Sequence, residues 1–140
     1  MKQTKKLPRV VPLLLLAAIL LAACNPTPAS WEDAKYTEDT TVGEGATTVT
    51  LKVTADEKTV TITLNTDKTD LAEAMLAEGL CAGEEGAYGL YIKYVNGIRA
   101  DYDLDGGYYW KLTVNGEDSM IGASGTVVVS GTVYEFIRTK

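Results

Sequence analysis

The 140-residue chain has no histidine. That absence removes the commonest general base and the commonest metal ligand together. Cysteine is scarce, with only Cys24 and Cys81, and there is a single phenylalanine. Positive charge is short as well: 13 Lys and Arg stand against 19 Asp and Glu, a net charge of −6. Nucleic-acid phosphates are held by clusters of Lys and Arg that release counterions, and an acidic chain repels them. Nucleic acid is therefore set aside as a partner. Long hydrophobic runs are also missing. The greasiest stretch, Val10 to Ala23, has 14 residues including Pro12, short of the roughly 20 that a transmembrane helix needs. No nucleophile, base and orienting group can be assembled from what remains, so the residues point away from an enzyme and imply no cofactor.

The short apolar run is informative by its position. Lys2, Lys5, Lys6 and Arg9 precede it, and Leu21-Ala22-Ala23-Cys24 closes it. A cationic start, an apolar centre and small residues before a cleavage point are the layout of a secretory signal peptide. With cysteine at the cleavage position, the stretch resembles the lipobox of bacterial lipoproteins. The resemblance implies cleavage before Cys24, diacylglycerol on its thiol, and an extracytoplasmic protein anchored to the membrane by lipid. Four basic residues leave with residues 1–23, so 9 basic and 19 acidic groups remain, net −10. Such a surface repels anionic headgroups, and membrane contact is expected through the lipid anchor. Cys81 then has no partner within the chain. Beside Leu80 it reads as a small core filler and not as a reactive thiol.

Asn25 to Thr48 is rich in Pro, Thr, Gly and acids and shows no apolar period. Such segments bury too little surface to offset their ordering entropy. Residues 24–48 are expected to form a flexible tether, with Trp31 and Tyr36 either exposed or packed back on the domain. Residues 49–140 suffice for one modest core. Val49, Leu51 and Val53, then Val60, Ile62 and Leu64, alternate with polar residues on either side of Ala55-Asp56-Glu57-Lys58, which predicts a β-hairpin. The period then changes. Asp70-Leu71-Ala72-Glu73 has the form of a capping box, Leu71, Ala74, Met75 and Leu76 make an apolar stripe, and Gly79 is placed to end the helix with Leu80 folding back. Strands are predicted around Leu90–Val95, at Ile98–Ala100 after the Asn96-Gly97 turn, at Tyr108–Val114, at Thr126–Val129 and at Val133–Arg138. The order gives an α+β, β-grasp-like fold: an N-terminal hairpin, one helix on a mixed sheet, and a strand-rich C-terminal half.

The run Leu71 to Leu80, with Tyr88-Gly89-Leu90-Tyr91 and Val95-Asn96-Gly97, resembles a bacterial cell-surface domain family related to the C-terminal domain of transcobalamin. Ala100-Asp101-Tyr102-Asp103, Tyr109-Trp110, Val114-Asn115-Gly116-Glu117 and Gly122 carry the resemblance over roughly Val49 to Ile137. It implies a β-grasp-like domain that closes over a ligand. In transcobalamin and intrinsic factor that ligand is cobalamin, bound against a separate helical domain. This chain has no such helical domain, so a second wall would come from a partner such as a membrane transporter. Ser130-Gly131-Thr132 also stands where relatives tend to have Asp-Gly-Asp, and no ligand role is carried to that corner.

Three groups of residues are candidates for chemistry. Asp101-Tyr102-Asp103-Leu104-Asp105-Gly106 matches the first half of an EF-hand loop, but position twelve is Leu112. Without the bidentate ligand, Asp101, Asp103 and Asp105 read as a solvated acidic loop, with a weak calcium site as the alternative. Asp101 and Asp103 as a glycosidase pair lack any environment that would separate their pKa values. The aromatics are the stronger lead. Tyr102, Tyr108, Tyr109 and Trp110 are the candidate ligand-binding set, Tyr108 and Trp110 sharing a strand face, and the resemblance points again at Trp110 and adds Gly122; the alternative is that Trp110 is core and the tyrosines are cross-strand packing pairs. The transcobalamin-like resemblance, together with the expected anchor, implies a surface-anchored lipoprotein that captures a soluble nutrient, with a corrinoid as the example, for a membrane transporter. The alternative is a structural or adhesive module that binds a protein or cell-wall glycan.

Overall fold

The computed structural model describes residues 27–140. The expected signal peptide, residues 1–23, and Cys24 lie outside the described residues. A 3₁₀ turn at Trp31–Asp33 leads to a short strand, β1 (Thr40–Val42). The predicted hairpin follows as β2 (Thr47–Ala55) and β3 (Lys58–Thr66), paired from Thr47↔Thr66 to Ala55↔Lys58. Side chains alternate across a strand, and all six apolar residues named for the hairpin are buried. Asp56 and Glu57 join the strands with φ of 50° and 65°. Two left-handed residues make a type I′ turn, whose twist matches that of the paired strands.

The helix α1 (Leu71–Ala77) begins at Asp70, whose carboxylate accepts from the Glu73 N–H at 3.1 Å. Its other oxygen takes the Gly125 N–H at 2.6 Å, tying the helix start to a distant loop. At the other end Leu80 N–H bonds Met75 O at 2.8 Å and Gly79 N–H bonds Leu76 O at 3.1 Å, with Gly79 at φ 64°. This is the Schellman ending expected from the sequence. Leu71, Ala74, Met75 and Leu80 are fully buried against the hairpin, Tyr134 and Phe136.

The remaining strands are β4 (Cys81–Gly86), β5 (Gly89–Val95), β6 (Ile98–Arg99), β7 (Tyr109–Val114), β8 (Glu117–Asp118) and β9 (Val133–Thr139). They form a six-stranded mixed sheet in the order β1-β3-β2-β9-β7-β8 and a three-stranded sheet β4-β5-β6. The last strand enters the middle of the larger sheet, parallel to β2 and antiparallel to β7. One helix on a mixed sheet with the final strand between the first hairpin and the later strands is the α+β, β-grasp-like arrangement predicted. Among the described residues no helix is long and apolar enough to cross a membrane.

One strand forms where none is predicted, and two local expectations change. Cys81–Gly86, which shows no alternation, pairs with β5 through a bulge at Ala82/Gly83. Its strand state comes from its partner and not from its own side chains. Thr126–Val129 is not a strand. It runs as a strap over the helix start, with Leu71 N–H to Thr126 O at 2.9 Å and Val128 N–H to Thr69 O at 2.8 Å. The second concerns the expected tether, 24–48. Trp31 Nε1 donates to Ala55 O at 2.8 Å, Lys58 Nζ lies 4.7 Å from the Trp31 ring centroid, and β1 adds a parallel edge to β3. Trp31 and Tyr36 are half-buried against the core and not exposed. Two aromatic anchors and a strand give this segment burial that its average composition hides.

Candidate functional site

The side of β7 that faces β5 does not close. Leu90 and Ile92 from β5, Trp110 and Leu112 from β7, and Phe136 from β9 border a small apolar hollow of about 180 Å³, with Tyr91 and Tyr109 at its mouth and Gly122 and Ala123 at its rim. Trp110 is only 8% exposed, and its indole Nε1 is committed to Ile98 O at 3.2 Å. It offers an apolar ring edge to the hollow and no polar tip. An adjoining hollow of about 560 Å³ continues past Gly122 between Tyr88, Met120 and Ile121, a size usual for small-molecule sites. Tyr88 and Met120 are almost wholly exposed, and Tyr91 and Ile121 are exposed to about half. Solvent-facing apolar side chains gathered around a concave surface mark a contact site more often than scattered ones do.

Of the five residues predicted to bind a ligand, Tyr109, Trp110 and Gly122 meet at this hollow. Tyr108 and Tyr102 do not. Tyr108 is half-buried beside Arg138, whose guanidinium carbon lies 4.1 Å from its ring centroid, a cation–π stack. Tyr102 sits on the 101–107 loop, exposed, across Gly107 from Lys140. The turn of residues 102–107 ends just before Tyr108 and β7 begins at Tyr109, so Tyr108 stands on the Arg138 side and Tyr109 at the hollow. Met120 and Ile121 were missed. Their one signal is two large apolar residues in an otherwise polar, glycine-flanked loop, where no period draws attention to them.

The acidic loop is built for a different task. Asp105 accepts from Arg99 Nε and Nη2 at 3.0 and 2.8 Å, and Arg138 Nη2 stands 3.7 Å away. Asp101 bonds the Asp103 and Leu104 N–H groups through Oδ1 and Lys93 through Oδ2 at 3.2 Å. The Arg99 fork holds the Asp105 carboxyl below its ordinary value. The Leu104 N–H, followed by Lys93, does the same for Asp101. These carboxylates already have cations, and the loop is a folded turn. Among the described residues, no cluster of three or more His, Cys, Asp or Glu is placed to hold a metal ion. Cys81 is buried and unpaired among the described residues, and desolvation pushes its thiol to about 11. It is protonated at neutral pH and a poor nucleophile.

A family model described as a domain of unknown function (DUF4430) matches residues 69–136, the stretch from the helix to β9 that contains the hollow. No curated protein matches the chain in sequence. Among solved structures, the chain is similar to a protein from Ruminococcus gnavus ATCC 29149 described as a candidate metal-binding protein. The TM-score is 0.62 at 29% identity, over 68% of this chain and 98% of that one. It is also similar in fold to haptocorrin in complex with Cbi, with a TM-score of 0.51 at 23% identity. That likeness covers 71% of this chain, which spans about a quarter (26%) of the haptocorrin chain. The likeness to haptocorrin is one of fold, and the fold is the α+β arrangement expected from the sequence.

Proposed function

We propose that the mature protein is a lipoprotein anchored outside the cytoplasm, whose domain binds a small molecule with a flat ring in the groove around Gly122. The observation that carries this is the row Tyr88, Tyr91, Met120 and Ile121, left in solvent around an apolar hollow. Tyrosine faces, a thioether and a branched alkyl group suit the edge of a wide planar ring. A corrinoid presents such a planar ring, with polar amides around its rim left to solvent or to a second wall, and the fold shared with haptocorrin, which is in complex with Cbi, supports it. A single shallow wall cannot enclose such a ligand. The other wall is assigned to a membrane transporter that receives it. The reading is of a receptor and not a catalyst, since the carboxylates of the 101–107 loop hold the fold and Cys81 is a neutral core thiol.

The metal-binding description of the Ruminococcus gnavus protein does not favour a cation here, because Asp101 and Asp105 already hold Lys93, Arg99 and Arg138. Isothermal titration with cobinamide and with cobalamin tests the ligand. Micromolar binding that Ile121→Asp weakens at least tenfold is expected, and no heat with either up to high micromolar concentration removes the corrinoid. Globomycin tests the anchor separately: an unprocessed precursor should accumulate in treated cells.

A further inference from the structure

Thr27, the first described residue, is already held against the domain. Arg99 Nη2 donates to its carbonyl at 3.1 Å, and Pro28 and Ala29 continue along a shallow hollow beside Leu104, Tyr108 and Arg138. The attachment strengthens downstream. Lys35 N–H bonds Asn96 O at 2.8 Å, and the buried Asn96 amide brackets Tyr36, accepting from its N–H at 2.9 Å and donating to its C=O at 2.8 Å. Only Asn25 and Pro26 separate Cys24 from this docked chain. Three extended residues reach at most about 11 Å. A free 25-residue tether would instead wander over about 28 Å. A lipidated cysteine keeps its backbone at the headgroups, so the end of the domain around Thr27 cannot leave them.

Resting on the lipoprotein reading, we infer that the end of the domain bearing Tyr102, Leu104 and Lys140 is a membrane-contacting surface, seated on the headgroups of the bilayer that holds the lipid. Tyr102 and Leu104 are 62% and 56% exposed, and Lys140 is exposed. Tyrosine and lysine are favoured at the boundary between headgroups and water, and an exposed leucine there can enter the acyl edge. The loop's inner acids, Asp101 and Asp105, are neutralised by Lys93, Arg99 and Arg138. Asp103 stays exposed, and Asp56 and Glu57 lie at the same end, because Thr54 on β2 pairs with Ile137 on β9. The surface is therefore mixed in charge and suited to zwitterionic headgroups. The opposite end, at Ser130 before β9, lies about 20 Å further out along the seven residues of that strand.

The mature protein is suited to a depth measurement, because Cys24 is consumed by its thioether and Cys81 is buried. A thiol introduced by Leu104→Cys or Ser130→Cys can then be labelled selectively with an environment-sensitive fluorophore. Lipidation at residue 24 is first read by intact mass. In phosphatidylcholine vesicles carrying nitroxide-headgroup lipid, the probe at 104 should be quenched at least threefold more than the probe at 130. A ten-residue Gly-Ser insertion after Asn25 should leave the difference in place if the face itself binds lipid, and abolish it if the short leash alone holds it there; either supports proximity in the native chain. Equal quenching at both positions of the lipidated native-length protein overturns the inference and leaves the anchor standing. A mass without lipid overturns both.

Discussion

Asp105 shows how one side chain can decide what a motif is for. Its spacing with Asp101 and Asp103 suggests cation capture, yet its carboxylate is nearly buried and gripped by Arg99, with Arg138 close by. Removing one partner of such a pair leaves uncompensated charge, so Asp105→Asn should cost about 3 kcal/mol in urea unfolding. The pH dependence follows from the sign of the shift. A carboxyl held below its ordinary 3.8 contributes stability above that value and loses it as pH falls through the lower folded value. The wild type should therefore weaken below about pH 4, and the Asn variant should show a shallower acid limb. Gly122 is the converse case, a residue whose surroundings are empty. A Cβ there would meet no atom within 4 Å, so Gly122→Leu should leave the melting temperature unchanged while filling the groove. Cobinamide titration of that variant should show at least a tenfold loss of affinity.

Among the elements, α1 starts and stops where its sequence says, with the Asp70 half of the expected capping box formed and the Glu73 half not, and β4 does not follow its sequence. The helix has seven residues, too few to persist alone, and is fixed by its ends: Asp70 binds Glu73 and Gly125, and Gly79 turns the chain back so that Leu80 enters the core. The type I′ turn at Asn96-Gly97 has a second role that turn chemistry does not reveal. The asparagine amide completes the backbone bonding of Tyr36, and a Cβ at Gly97 would stand 2.4 Å from Asp33 O. Asn96→Ala should cost about 2 kcal/mol by leaving buried backbone groups unpaired. Hydrogen exchange should rise at Lys35 and Tyr36 while α1 remains protected. The strand β4 is held in place by β5 and by the bulge at Ala82/Gly83, which is why no period announced it.

For the whole molecule, the N-terminal segment belongs to the folded unit. Trp31 packs at the hairpin end, Asp39 accepts the Thr61 N–H at 2.9 Å, and β1 covers the edge of β3. A chain beginning at Val49 would expose that edge, the kind of surface that invites aggregation. It should melt at least 10 °C below the chain beginning at Thr27, as expected if about 2 kcal/mol or more is lost from a domain of this size. Equal melting temperatures would show the segment to be energetically idle. The same docking brings the domain close to its expected anchor, which turns a statement about stability into one about orientation.

The sequence by itself determined what depends on neighbours along the chain. Alternation marked the hairpin, Asp70 and Gly79 bounded the helix, and Asn96-Gly97 marked a turn, because each is set by backbone geometry within a few residues. The run of aromatics and the family resemblance named Tyr109, Trp110 and Gly122 as candidates, and the structure brings these three to one hollow. Only the tertiary structure decided that Tyr102 and Tyr108 stand apart from them, that Met120 and Ile121 join them, and that the acidic loop binds arginine and lysine. Those outcomes depend on which strands lie side by side, and that order turns on β9, which lies between β2 and β7 and is the strand most distant in sequence from a partner.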